Sequence, residues 1–165
     1  MKEEISYYEK GQIKEKKFSL NGKLHGEYIS YFGNGQIMAQ LHFTGGRRNG
    51  EAVSYYKHGQ LREKGTFRDD QFEGEYISYY DNGQEREREY YRDGKLEGRY
   101  LLYYRSGQIT DEENYRNGNL EGEYSSYFKN GQLKEKGFFR EDRREGEYIA
   151  WYRTGQIREK GVYEN

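Results

Sequence analysis

The chain lacks cysteine and proline altogether. Without cysteine there is no disulfide framework, no thiolate metal site and no cysteine nucleophile. Branched aliphatics are scarce: tyrosine, at 20 residues, outnumbers Leu, Ile and Val together. An ordinary packed core needs more of those side chains. No run of ~18 apolar residues occurs, so no helix of the kind that spans a membrane is expected. The net charge of -1 gives no global attraction to nucleic acid or anionic lipid. Both signs are interspersed, as on a solvated surface. The start, Met1-Lys2-Glu3-Glu4-Ile5, has no apolar stretch of signal-peptide type. A cytoplasmic location is expected for the chain as given, and a surface or periplasmic one if it is trimmed from a longer product.

What the sequence does have is glycine, rings and rhythm. With 22 Gly and 18% aromatics, its composition is not that of a disordered chain. A thin fold that buries rings is expected.

The phrase Gly-Glu-Tyr-Ile-Ser-Tyr-Tyr-x-Asn-Gly-Gln recurs without insertions, opening at Gly26, Gly50, Gly74, Gly98, Gly122 and Gly146. An earlier copy opens at Lys2, where Glu4 also replaces the motif tyrosine. The copies are 2–25, 26–49, 50–73, 74–97, 98–121, 122–145 and 146–165, and they fill one repeat domain. Columns are counted here from the opening residue. Column ten is always Gly (Gly35, Gly59, Gly83) and column eleven always Gln (Gln36, Gln60, Gln84). Column six is Tyr except for Trp151, and column seven is always Tyr or Phe.

Each copy reads as two strands. Tyr28-Ile29-Ser30-Tyr31-Phe32 is β-branched and aromatic, Gly33-Asn34-Gly35 interrupts it, and Gln36 to Phe43 is a second extended stretch. No 3.6-residue apolar period survives and glycine interrupts every stretch, which disfavours helices. Thr154 precedes one invariant glycine and resists the positive φ that a two-residue turn demands there. A three-residue loop needs positive φ only at the glycine, so it is the expected turn. Column seven then pairs with eleven, six with twelve and four with fourteen.

This register predicts one face with columns four, six, twelve and eighteen (Ile29, Tyr31, Ile37, Phe43). The other holds Tyr76, Ser78, Tyr80, Gln84, Arg86 and Arg88 in copy four. The aliphatic face is expected inside a curved trough and the tyrosine face partly wet. If the turns between copies follow the same rule, Glu63 faces Glu75. The expected fold is all-β: an elongated, twisted single-layer antiparallel sheet of seven 24-residue hairpins. About 14 strands at ~4.8 Å spacing make it roughly 65 Å long.

Lys23-Leu24-His25-Gly26-Glu27-Tyr28 and Tyr80-Asp81-Asn82-Gly83-Gln84 resemble the MORN repeat, in the bacterial variant form that carries Tyr-Tyr-x-Asn-Gly-Gln. The resemblance covers the whole chain. It implies a β-hairpin array with a non-enzymatic binding or scaffolding role. Some bacterial proteins of this type are named as antitoxins of toxin–antitoxin pairs, and eukaryotic relatives are linked to membrane phospholipids and assembly scaffolds. The motif His survives only as His25, with Glu73, Glu97, Glu121 and Glu145 in its place elsewhere.

Nothing in the sequence converges on catalysis. His25, His42 and His58 occupy different columns, and no pairing makes them a metal site or a triad. Asp111-Glu112-Glu113 lacks calcium-loop spacing. Ser30, Ser54, Ser78 and Ser126 recur in one column, as architectural residues do. No enzyme, cofactor or metal is therefore expected. The residues that invite a binding role are columns three and seven: Tyr28, Phe32, Tyr56, Tyr76, Tyr80, Tyr100, Tyr104, Tyr124, Phe128, Tyr148 and Tyr152. They are either cross-strand ladders or a stripe that holds a protein partner. Arg86, Arg88, Lys134 and Lys136, expected beside the rings, extend the choice to anionic phospholipid. Alternating Glu135 and Glu159 weigh against nucleic acid. Open strand edges allow self-association as a homo-oligomer.

Overall fold

The computed structural model describes residues 1–164, and none of these is helical. The chain forms two compact units, Met1–Gly83 and Gln84–Asn165, each built from antiparallel strands. The boundary falls between columns ten and eleven of copy four.

The first unit contains β1 (Lys2–Tyr7), β2 (Ile13–Leu20), β3 (Lys23–Tyr31), β4 (Ile37–Thr44), β5 (Arg47–Arg48), β6 (Gly50–Tyr55), β7 (Leu61–Arg68), β8 (Gln71–Phe72) and β9 (Gly74–Tyr79). β1, β2, β3 and β4 pair in succession. β4 then pairs with β5 and β6, β6 with β7, and β7 with β8 and β9.

The second unit repeats the plan with β10 (Glu85–Arg92), β11 (Lys95–Leu96), β12 (Gly98–Tyr103), β13 (Ile109–Arg116), β14 (Asn119–Leu120), β15 (Gly122–Tyr127), β16 (Leu133–Arg140), β17 (Arg143–Trp151) and β18 (Ile157–Tyr163). β10 pairs with β11 and β12, β12 with β13, and β13 with β14 and β15. β15, β16, β17 and β18 follow in succession.

The hairpin turn is the three-residue loop expected. Gly35 N donates to the Phe32 carbonyl at 2.8 Å, and Phe32 N donates to the Gln36 carbonyl at 2.8 Å. Gly35 alone of the loop has positive φ, at 86°. The invariant pair of columns has a second cause. A Cβ on Gly83 would meet the Gln60 amide at 3.2 Å, and one on Gly107 would meet Gln84 at 2.7 Å. Each of these glutamines lies where the next copy's glycine has no side chain.

The register beyond the turn differs from the expected one. Tyr31 pairs with Ile37 as predicted, but Ser30 then pairs with Ala39 and Ile29 with Gln40. A β-bulge consumes one residue, so column four meets fifteen rather than fourteen. A one-residue slip moves every later side chain to the opposite face. Columns fourteen, sixteen and eighteen therefore join the tyrosines of column three. Tyr28 and Phe43, expected on opposite faces, meet edge to face at 6.0 Å. Arg88 and Lys136 of column fifteen leave the tyrosine face.

The turns between copies also depart from expectation. They are two-residue turns with both φ positive: Gly45 and Gly46, Asp69 and Asp70, Glu141 and Asp142. Asp70 tolerates φ 70° because its carboxylate accepts Arg48 N and Nε, both at 3.0 Å. With this turn and the bulge, Glu63 pairs with Ser54 and Ser78 instead of facing Glu75.

Burial is likewise redistributed. The floor of the tyrosine face is deeply covered, with Ser30, Ser54 and Ser78 only 4%, 5% and 2% exposed. Large rings lean over small residues, which a sparse set of aliphatics cannot do from the other side. Phe67 and Tyr124 are buried on this face too. Burying each such ring stabilises by roughly 2 kcal/mol. Ile77 and Leu101 are the buried aliphatics of the opposite face.

Candidate functional site

The column-three tyrosines stand beside the column-fourteen carboxylates. In the first unit, Tyr28 donates to Glu15 at 3.0 Å and Tyr76 to Glu63 at 2.9 Å. In the second unit, Tyr100 donates to Glu87 at 3.1 Å, Tyr124 to Glu135 at 2.6 Å and Tyr148 to Glu159 at 2.7 Å. Column eighteen closes the row. Tyr100 meets Tyr115 edge to face, Tyr124 lies 4.8 Å from Phe139, and Tyr148 lies 4.6 Å from Tyr163. The glycines of column sixteen let the rings lie flat on the backbone. A Cβ on Gly137 would sit 2.8 Å from the Tyr124 ring, and one on Gly161 would sit 2.7 Å from Tyr148.

Column seven has a different role. Its rings stand at the hairpin ends, and their hydroxyls reach the neighbouring copy. Tyr8 donates to the Tyr31 carbonyl, Tyr56 to that of Tyr79 and Tyr104 to that of Tyr127, at 2.7, 2.7 and 2.9 Å. Tyr56 also stacks on His58, whose Nε2 is 3.1 Å from the Asp81 carbonyl. Asn34 bridges to the Lys57 carbonyl in the same way. This row fastens copies together, so the eleven rings expected as one stripe separate into two rows. Phe32, Tyr80, Phe128 and Tyr152 belong to this hairpin-end row.

Two groups of carboxylates on the tyrosine face differ in charge balance. Burial raises Glu63, but Arg62, Ser54 and Tyr76 all donate to it and hold it below its ordinary value. In the second unit, burial pushes Glu89 up, against the Tyr91 hydroxyl and aided by Glu87. Burial also pushes Asp111 up, with Lys134 opposing. Burial and adjacent carboxylates push the Tyr100 and Tyr115 hydroxyls well above the ordinary phenol value. These hydroxyls stay protonated and donate to Glu87 and Glu113. Among the described residues, no three acidic or imidazole groups are arranged to hold a metal ion.

His25 shares the role of the glutamates in its column. Its Nδ1 faces Gly45 N at 3.4 Å, as Glu97 accepts Asn117 N and Glu121 accepts Glu141 N.

The tyrosine face also carries an open groove of about 220 Å³ in the first unit. Phe67, Phe72 and Tyr76 line it, with centroids 4.2 and 5.1 Å apart along the series. Arg48 lies over the Phe67 ring at 4.1 Å. Sequence reasoning missed the column-eighteen rings and the column-fourteen acids, because the bulge hides their face. A signal was present: column fourteen is acidic in every copy except at Ala39.

The profile of the MORN repeat variant matches residues 2–21, 24–44, 48–69, 72–84, 96–117, 120–141 and 144–165. The chain belongs to this family. No curated protein matches it. MORN repeats are generally involved in protein or membrane association. The seven matches follow the hairpin rhythm. The stretch between the fourth and fifth MORN matches contains Glu85, which replaces the usual aliphatic of column twelve, and Glu87 and Glu89 of the acidic group.

Proposed function

We propose that this MORN repeat chain is a non-catalytic protein-interaction module whose partner docks on the tyrosine–carboxylate face. The carrying observation is the row of rings, each hydroxyl oriented by a carboxylate, with Tyr76, Tyr124 and Tyr148 resting on glycines. Tyrosines held this way offer rigid, amphipathic contact area with little side-chain entropy left to lose. The aromatic-walled groove adds a concave element of the kind that takes anchor residues. Of the four basic residues on which a phospholipid role depended, Arg88 and Lys136 face away from these rings, and Lys134 acts on Asp111 of the tyrosine face, where carboxylates of columns fourteen and sixteen surround it. Lys64 of the same column lies in a depression with Glu51, Glu73 and Glu75. There three carboxylates surround one lysine, so that depression is not cationic.

The test is capture of partners from the native cell by the full chain, with mass spectrometry. Variants Tyr76→Ser and Tyr100→Ser that keep the native far-UV circular dichroism should lose the captured protein. Tyr56→Phe, in the fastening row, should keep it. Equal capture by column-three variants with native spectra would overturn the proposal.

A further inference from the structure

The groove has an origin in the repeat itself. Tyr28, Tyr76 and Tyr100 each donate to the column-fourteen carboxylate of the preceding copy. In copy three the tyrosine position is Ala52, and the corresponding carboxylate position of copy two is Ala39. Ring and acid are missing together, and both alanines line the groove. What remains is an apolar notch in an otherwise regular row, walled by Phe67, Phe72 and Tyr76. Arg48 and Arg62 also line it. Arg48 lies over Phe67 and contacts Asp70, and Arg62 contacts Ser54 and Glu63. Of the charged side chains on this face of the lining, Arg48 and Arg62 outnumber the single acid, Glu63.

The intact copies show what such a space accepts: one aromatic ring with one carboxylate beside it. We propose that the Ala39–Ala52 notch is a docking subsite for an aromatic residue adjacent to an acidic one on a partner protein's extended segment. The ring replaces the missing tyrosine against Phe72 and Tyr76, and the carboxylate meets the surplus positive charge of the lining. This deepens the protein-interaction proposal above and rests on it.

The probe is 3-(4-hydroxyphenyl)propionate, which carries one ring and one carboxylate, with 2-phenylethylamine as the cationic counterpart. Backbone amide shifts of the full chain are followed by NMR. A ligand this small binds with roughly millimolar affinity. The propionate should give saturable shifts at Ala39, Ala52 and Gly65, and the amine should bind at least several-fold more weakly. The double variant Ala39→Glu, Ala52→Tyr rebuilds the row and should abolish those shifts while keeping the fold. Ala52→Phe is a second way to fill the notch, should the double variant fail to fold. Absence of saturable shifts at these residues overturns the inference, as does equal binding of the amine or unchanged binding in a folded, filled variant. Partner capture separates the two levels. If the filled variant keeps the captured protein while column-three variants lose it, the subsite falls and the docking face stands. If neither loses it, both fall.

Discussion

Arg99 donates through Nε to Glu112 at 2.7 Å, and this ion pair is the reverse of Glu3 and Lys16, which lie 2.6 Å apart in the same two columns. Column two is acidic in most copies and column fifteen basic, so copy five exchanges both signs at once. An exchange of this kind is what a direct contact between the two columns requires. Arg99→Glu should destabilise by a few tenths of a kcal/mol, as loss of a largely exposed pair does. The double variant Arg99→Glu, Glu112→Lys should recover it. A double-mutant cycle by urea denaturation measures the coupling, and zero coupling would show the pair to be idle.

The fastening row gives a sharper expectation. Tyr56→Phe removes one hydroxyl bond to the Tyr79 carbonyl and leaves the ring. Loss of about 1 kcal/mol is expected. Phe32 occupies the same column, so Phe32→Tyr should gain a bond to the next copy. Opposite shifts in thermal midpoint for the two substitutions would establish the fastening role. Shifts of the same sign would refute it.

The acids of the tyrosine face should respond to pH in opposite ways. Glu89 and Asp111 have raised values in the folded protein, through burial first. Any contribution of theirs to stability is present below the ordinary carboxylate value and lost as pH rises through the folded value. Glu89→Gln and Asp111→Asn should therefore raise the thermal midpoint at neutral pH and have little effect in acid. Glu63 is held low because its donors outweigh its burial. Its contribution is present above the ordinary value and lost as pH falls through the folded one. Glu63→Gln should lower the midpoint at neutral pH, with the difference vanishing in acid. Thermal scans between acid and neutral pH read both.

Gly137→Ala places a Cβ where the Tyr124 ring now lies, 2.8 Å from its Cε1. The ring must lift, which breaks its hydrogen bond to Glu135. A loss of about 1–3 kcal/mol is expected from overpacking, with a change in near-UV circular dichroism. An unchanged near-UV spectrum would mean that the ring does not rest on that glycine.

The hairpin, its loop and its period are legible in single residues. Thr154 disfavours the two-residue turn, and Gly35 with Gln36 marks the loop. The tyrosine–carboxylate face is not legible in the same way. Alternation along Gln36 to Phe43 places Phe43 with Ile29, and only the bulge between Ile37 and Ala39 returns it to Tyr28. Local propensity does not distinguish a strand with one extra residue from a regular one, because the bulge is settled by what each face must cover.

Residue order alone dictates a seven-copy array of antiparallel hairpins, because a glycine that must take positive φ recurs every 24 residues among strand-forming side chains. Which side chains share a face was settled by the pairing of the strands. Ladder register depends on hydrogen bonds between strands, and a single bulged residue reverses the outcome for every residue beyond it.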